Sequence, residues 1–312
     1  MSFSTEIKNE VCSLKLSRVE NISFLSGFVR NNKLENVNKI SLLTENPKIV
    51  RYLYNLFKEI YGVSPLIEKG KSNNFNKNVY YNLVINDNAN FILKDIMVID
   101  DDNKLLEEPK SYIIDTEELK RSYLRGVFLA CGSINDPKKL GYHMEFFIDN
   151  KSEASFVSNI LNDFYINNKI LARDNNYMVY VKESEKIGDF LRLISANVAL
   201  LYFEDIRIYR DHKNMTNRLN NCEQANVDKI VSSAQNQLND IKKLEDVIGF
   251  DLLDEKLQEV IVYRKKYPDV SLNDLSIIMT EETGKTITKS GLNHRFRKIK
   301  DLSEKLKGNE SE

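Results

Sequence analysis

The chain has 312 residues, more than one core usually organises, so two domains are expected. Lysine and arginine (45) nearly balance aspartate and glutamate (46), and the formal charge of -1 excludes a uniformly basic nucleic-acid binder while leaving room for charge segregated along the chain. Cys12, Cys131 and Cys222 form no CxxC pair and stand far in sequence from His143, His212 and His294, which argues against a metal site and for a reducing compartment.

The first sixteen residues, MSFSTEIKNEVCSLKL, carry Glu6 and Glu10 where a secretory leader needs an apolar stretch, and no later run has the length and hydropathy of a membrane span. A soluble cytoplasmic protein with no membrane partner is the expectation. Heavy use of Asn, Lys and Ile points to an AT-rich genome.

From Phe24 the segment FLSGFVRNNKLE reads as a helix carrying Gly27. ISLLTENPKIVRYLYNLFKEIYG, from Ile40, is an extended apolar run, a Glu45-Asn46 turn and an amphipathic helix with Val50, Leu53, Leu56, Phe57 and Ile60 on one face. Two extended stretches, VSPLIEKG and NVYYNLVIN, and a short helix, NANFILKDI, complete the pattern. The acidic run Asp100-Asp101-Asp102 beside Asn103 reads as a solvated linker.

The same order then recurs. YLRGVFLACGSIN, from Tyr123, places Gly126 where the first copy has Gly27, and MEFFIDNKSEASFVSNILNDFYI, from Met144, repeats the strand, the Asp149-Asn150 turn and a helix with Ala154, Val157, Ile160, Leu161 and Phe164 on its face. NKILARD, NYMVYVKE and SEKIGDFLRLI follow as two strands and a helix. The expected fold is α+β, a duplicated αββαββα domain over 1–205 with repeats at about 20–100 and 117–195. A glycine inside a helix costs about 1 kcal/mol relative to alanine, so two at equivalent places imply a close backbone approach, each helix against the other.

Residues 206–250 read as a basic segment and long linker helix ending near Gly249, with Leu219, Cys222, Asn226, Ile230, Ala234, Leu238, Ile241 and Ile248 at helical spacing. Arg207, Arg210, Lys213 and Arg218 make its start basic and are candidate phosphate contacts, against the plainer reading of a solvated linker.

Residues 251–312 form a compact helical module with a helix-turn-helix at about 270–303. DEKLQEVIVYRKKYP, with Leu257, Val260, Ile261 and Arg264 on its face, stops at Pro268; SLNDLSIIMTEE has Ser271 as N-cap; TKSGLNHRFRKIKDLSEKL has Thr288 as N-cap and Leu292, Phe296, Ile299 and Leu302 as its buried stripe. Between Lys285 and Lys300 the charges are all positive, a field that a polyanion would neutralise. Lys289, Ser290, Asn293, His294 and Arg297, near the helix N-terminus, would face base edges, and Arg295, Lys298 and Lys300 would meet phosphates. GKT at Gly284 to Thr286 is not a phosphate loop, because Met279 stands where that loop needs its first glycine.

The paired glycine helices within the duplication resemble the LAGLIDADG homing endonucleases, in which the two motif helices pack at a pseudo-twofold axis and each delivers a metal-binding carboxylate. Laid on Leu124 to Gly132, the motif puts the second acid position at Cys131, and the first falls at Asn32. Neither side chain supplies the anionic oxygens that hard divalent cations take. With no histidine nearby in sequence, Cys131 reads as a structural thiol rather than a nucleophile. The first motif departs further, with Lys33 for its final glycine and Arg30 in its polar stretch.

With NRLNNCEQAN and TKSGLNHRFRKI following the degenerate duplication, the whole chain is similar to the WhiA family. That resemblance implies a non-catalytic, nucleoid-associated transcription regulator of Gram-positive bacteria, linked to sporulation, cell division and chromosome segregation, without a cofactor or resident metal. Promoter DNA is the implied partner, with another transcription factor or RNA polymerase as further candidates. Two alternatives stay open: an active endonuclease using substitute acids, and a partner-binding scaffold.

Overall fold

The computed structural model describes residues 2–32, 34, 36–71, 79–139, 141–173 and 176–308. Their contacts divide into two units, Met1–Arg210 and Asp211–Glu312.

The first unit opens with α1 (Phe3–Val11), whose Phe3, Ile7 and Val11 recur every four residues and are buried in the unit's core. The first repeat comprises α2 (Arg18–Arg30), β1 (Ile40–Thr44), α3 (Pro47–Tyr61), β2 (Leu66–Lys71), β3 (Val79–Ile85) and α4 (Ala89–Asp95). The second comprises α5 (Glu117–Cys131), β4 (Gly132–Ile134), β5 (Met144–Ile148), α6 (Lys151–Asp163), β6 (Lys169–Arg173), β7 (Asn176–Val181) and α7 (Ser184–Leu193). The asparagine of each acidic turn caps the helix after it: Asn46 Oδ1 accepts from the Lys48 amide at 2.9 Å, and Asn150 Oδ1 from the Ser152 amide at 2.8 Å.

Both sheets are antiparallel, ordered β1-β3-β2 and β4-β5-β7-β6. The stretch of the first repeat equivalent to β4 is 33–35, of which only Leu34 is among the described residues. Beyond it Asn36 bridges to Lys39 around a turn in which Asn36 Oδ1 accepts from the Asn38 amide. Lys33 lies outside the described residues.

The motif helices α2 and α5 pack directly on each other. A Cβ at Gly27 would stand 3.1 Å from the Tyr123 carbonyl carbon, and one at Gly126 would stand 2.8 Å from the Phe28 nitrogen. Four residues before each glycine a serine bonds across the pair: Ser23 Oγ donates to the Leu119 carbonyl and Ser122 Oγ to the Glu20 carbonyl, both at 2.8 Å. The duplication seen in the sequence is thus a reciprocal contact in space. Asp100 to Asn103, between the repeats, makes a tight turn closed by the Lys104 amide on Asp100 Oδ1 at 2.8 Å.

The long helix α8 (Asn197–Val247) begins well before residue 206, the start expected from its own sequence. Its N-terminal amides are capped from α1, where the Glu10 carboxylate accepts from Val198 at 2.8 Å and from Ala199 at 3.0 Å, and Ala199 and Phe203 are buried in the first core. A carboxylate there satisfies orphan donors and complements the helix dipole. From 211 to 233 every residue of α8 is exposed, so the expected stripe through Leu219, Cys222, Asn226 and Ile230 buries nothing; burial begins at Ala234.

The second unit continues with α9 (Glu255–Lys266), α10 (Leu272–Thr283) and α11 (Lys289–Gly308). Its core joins Leu257, Val260, Ile261, Leu275, Met279, Leu292, Phe296 and Ile299 with Ile241 and Leu244 of α8. A boundary at 251 therefore leaves part of this core on the linker side.

Candidate nucleic-acid interface

Local chemistry fixes the start of α11 and the turn before it. Gly284 ends α10 in the left-handed region, at φ 69°, where a side chain would be strained. The Thr280 hydroxyl accepts from the Ile287 amide at 3.1 Å, which ties the turn to α10, and Thr288 Oγ1 accepts from the Gly291 amide at 3.1 Å as N-cap of α11. Leu292, Phe296 and Ile299 face the core, leaving Lys289, Ser290, Asn293, His294, Arg297, Lys298 and Lys300 exposed.

The cations of α11 fall into two groups. Arg295 bonds Glu259 of α9 at 3.0 Å, Lys298 lies 3.7 Å from Asp254, and Lys300 lies 3.7 Å from Glu304 on its own helix. Lys285, Lys289 and Arg297 have no acidic partner among the described residues, and Ser290, Asn293 and His294 have no side-chain hydrogen bond there. The residues expected at base edges are thus exposed with their hydrogen-bonding groups unspent, while the three residues expected at phosphates are held by carboxylates.

On α10, Glu282 binds Lys266 Nζ at 2.8 Å and the Tyr267 hydroxyl at 2.7 Å, and these bonds hold its carboxyl below the usual range. That acid is tied to the end of α9.

The basic start of α8 is divided in the same manner. Arg207 bonds Glu204 at 2.6 Å and lies 3.5 Å from Glu185; Arg210 donates to the Pro137 carbonyl at 2.8 Å and sits over the Tyr142 ring, 4.8 Å from its centroid. Both are spent inside the first unit. Lys213 and Arg218 are exposed.

At the ends of the motif helices the two lost acid positions serve the protein itself. Asn32 Nδ2 donates to the Phe28 carbonyl at 3.0 Å, and its Oδ1 accepts from the Leu43 amide at 3.1 Å, so the amide joins α2 to β1. Burial pushes the Cys131 thiol up to about 12, and its Sγ lies 3.4 Å from the Val127 carbonyl oxygen. A neutral thiol at neutral pH has no charge to offer a cation.

Beside them stands a cluster that sequence reasoning missed. Glu153, 2% exposed, accepts from Arg30 Nε at 2.9 Å, the Tyr123 hydroxyl at 2.5 Å and Asn31 Nδ2 at 3.1 Å. Arg30 also donates to the carbonyls of Met97, Leu106 and Glu107. The one available signal was the arginine standing inside the first motif.

Family models match three stretches of the chain: the WhiA N-terminal LAGLIDADG-like domain at residues 19–99, the WhiA LAGLIDADG-like domain at 120–213 and the WhiA C-terminal HTH domain at 216–303. The chain is also 39% identical over 315 residues to the Probable cell division protein WhiA of Bacillus cereus (strain B4264), a match spanning 100% of this chain and 99% of the relative. The chain belongs to the WhiA family. The same identity and coverage hold for the Probable cell division protein WhiA of Bacillus anthracis (strain CDC 684 / NRRL 3495). Among solved structures, full-length DUF199/WhiA from Thermatoga maritima superposes with TM-score 0.59 at 25% identity, over 98% of this chain and 99% of that one. The N-terminal LAGLIDADG domain of DUF199/WhiA matches with TM-score 0.50 at 27% identity, over 62% of this chain and 90% of that one. The WhiA HTH match starts at 216, so the exposed stretch of α8 belongs largely to the helix-turn-helix region.

Proposed function

We propose that this WhiA-family chain is a non-catalytic, sequence-specific DNA-binding regulator of transcription, acting on promoters of cell-division genes and, in spore formers, of sporulation genes. The observation that carries this reading is the N-terminal face of α11, where Lys289, Ser290, Asn293, His294 and Arg297 are exposed and unpartnered among the described residues. Asparagine reads adenine and arginine reads guanine in the major groove. The family supports the cell-division role, and double-stranded promoter DNA in the nucleoid is the partner, with RNA polymerase or another transcription factor as the protein it would act through. Arg295, Lys298 and Lys300 would exchange carboxylates for phosphates on binding, and Lys213 and Arg218 are free to join them. The engagement of Asn32 and Cys131 supports the non-catalytic reading.

The test is binding of the whole chain, with EDTA present, to a promoter duplex selected from a genomic pool. Each base contact is worth about 1–3 kcal/mol, so Arg297→Ala with Asn293→Ala should weaken binding to the selected duplex by roughly 30-fold or more and leave binding to a scrambled duplex nearly unchanged. Equal affinity of variant and parent for the selected duplex refutes the assignment of α11. Magnesium-dependent cleavage refutes the non-catalytic part.

The sheet faces of the first unit differ. The face of the first sheet that bears Ser41, Asn82 and Glu68 also presents exposed Leu43 and Leu66, which suits protein contact better than a phosphate backbone, whereas that of the second presents exposed Lys169 and Arg173 beside Phe147, Leu171 and Glu145 and suits either partner. Equal salt slopes for the whole chain and a fragment covering 211–312 would favour a protein-binding first unit, and a steeper slope for the whole chain would show that the first unit also grips DNA.

A further inference from the structure

Arg264 is the largest fully buried side chain among the described residues, 1% exposed, although it lies on a helix of a small unit. Its Nη1 donates to the carbonyls of Tyr267 and Val270, at 3.3 and 2.8 Å, and its guanidinium packs 5.4 Å from the centre of the Phe296 ring. Its Nε has no hydrogen-bond partner, and no carboxylate pairs with it among the described residues. Burial without a counter-ion weakens its hold on its proton relative to an ordinary arginine. A buried cation is costly until an anion joins it.

Arg264 lines a cleft of about 420 Å³ within the second unit. The other walls are Asn226, Lys229 and Ser233 of α8, the first residues of α10 with their cap Ser271, and Lys289 at the start of α11. Leu272 and Asn273 open a twelve-residue helix, where amides lack intrahelical acceptors and the helix dipole favours an anion. The capping acid Asp274 is engaged, its carboxylate receiving the Ser271 hydroxyl at 2.6 Å. Every charged side chain lining the cleft is a cation, and the base-reading face of α11 begins at its rim.

We propose that this cleft seats one phosphate of the DNA backbone, clamped by Arg264, Lys229, Lys289 and the N-terminus of α10, so that α8 is part of the DNA-binding surface. The assignment rests on the DNA-binding reading above and gives the NRLNNCEQAN stretch, which ends at Asn226, a place in it. A backbone phosphate fixes register without reading sequence, so the seat would set how far α11 enters the groove. A free phosphorylated small molecule has the same oxyanion chemistry and is the other source to be distinguished.

The experiment uses the whole chain, with EDTA, in a salt series from about 50 to 200 mM on the selected and scrambled duplexes. Lys229 is exposed, so Lys229→Gln keeps the fold; Arg264→Gln is measured beside it, and Lys243→Gln serves as an exposed control on the same helix. Losing one phosphate contact should lower the slope of log affinity against log salt by about 0.9, which shrinks the fall in affinity across that range by about 3.5-fold, equally on both duplexes. Lys243→Gln should leave the slope unchanged. If Lys229→Gln keeps the parental slope while Arg297→Ala still weakens the selected duplex, the seat is overturned and the DNA-binding reading stands. If the parent shows no salt-dependent binding, both fall. If inorganic phosphate raises the melting temperature of the parent and not of Lys229→Gln, with slopes equal, the cleft holds a small phosphate and the DNA assignment is overturned.

Discussion

Replacing Gly126 by alanine tests whether the two motif helices are packed as tightly as their backbones indicate. The added Cβ would overlap the Phe24 carbonyl oxygen, stand 2.8 Å from the Phe28 nitrogen and 3.0 Å from the Phe24 carbonyl carbon, all backbone atoms that cannot rotate away. Restoring ordinary contact at 3.4 Å to the Phe28 nitrogen alone moves α2 away from α5 by 0.6 Å, and relieving the nearer Phe24 carbonyl oxygen moves it further. A gap of that size already forfeits a quarter or more of each dispersion contact, along an interface that buries Phe24, Phe28, Tyr123 and Val127. Overpacking of this kind costs up to about 3 kcal/mol, or more where backbone must shift, against a gain of about 1 kcal/mol from removing a helical glycine. The net expectation is a loss of about 2 kcal/mol or more, read as a lower urea midpoint at unchanged m-value. Gly188→Ala is the matched control: on α7 the new Cβ would meet the end of the Glu204 side chain at 2.5 Å, with its next neighbours at 3.7 and 3.8 Å. That variant should be neutral or stabilised by up to about 1 kcal/mol. A Gly126→Ala protein as stable as the parent would refute the close-packing account of the motif glycines.

Three further outcomes follow from contacts in the first unit. Glu153→Ala strands Arg30 in the interior and should cost about 3–5 kcal/mol, with a double-mutant cycle on Arg30→Met returning a large coupling energy; additive effects would show that the pair is not coupled. Glu10→Ala removes the cap on α8 and should lower stability by about 1 kcal/mol in urea unfolding, and no change would place the start of that helix under other control. A maleimide at pH 8 should label exposed Cys222 at once, half-buried Cys131 more slowly and buried Cys12 only when the chain unfolds, because burial pushes both of the latter thiols up to about 12. Labelling of Cys131 as fast as Cys222 would contradict its raised thiol.

The elements legible in the sequence were those whose causes lie within a few residues. Ser271 and Thr288 cap the helices they precede, and a cap is read from one residue and its followers; Asn46 and Asn150, legible as turns, also cap theirs. The two glycines were legible because duplication supplied a second copy against which to align each one. The elements that were not legible depend on partners far along the chain. Glu10 acts on Val198, 188 residues away, and Arg30 meets Glu153 across 123. Arg264 was legible as a member of the Leu257, Val260 and Ile261 face, but its packing against Phe296 of α11 and its lack of a carboxylate among the described residues were not. The apolar periodicity of α8 between 219 and 230 was a real pattern with nothing in its unit to bury it. In the candidate interface, the cations of α11 were legible from charge, whereas their division into paired and unpaired ones needed Asp254 and Glu259 from the neighbouring helix as well as Glu304.

The buried Arg30–Glu153 pair also sets an order on synthesis. When α2 leaves the ribosome, the carboxylate that will neutralise Arg30 lies 123 residues downstream on the message still to be read, roughly 6–25 s away at about 5–20 residues per second. Until then Phe24 and Phe28 have no α5 to cover them, and the nascent first repeat cannot close its own core. Each repeat thus leaves part of its apolar surface to be covered by the other, so the core of the first unit is completed only after α5 has been made.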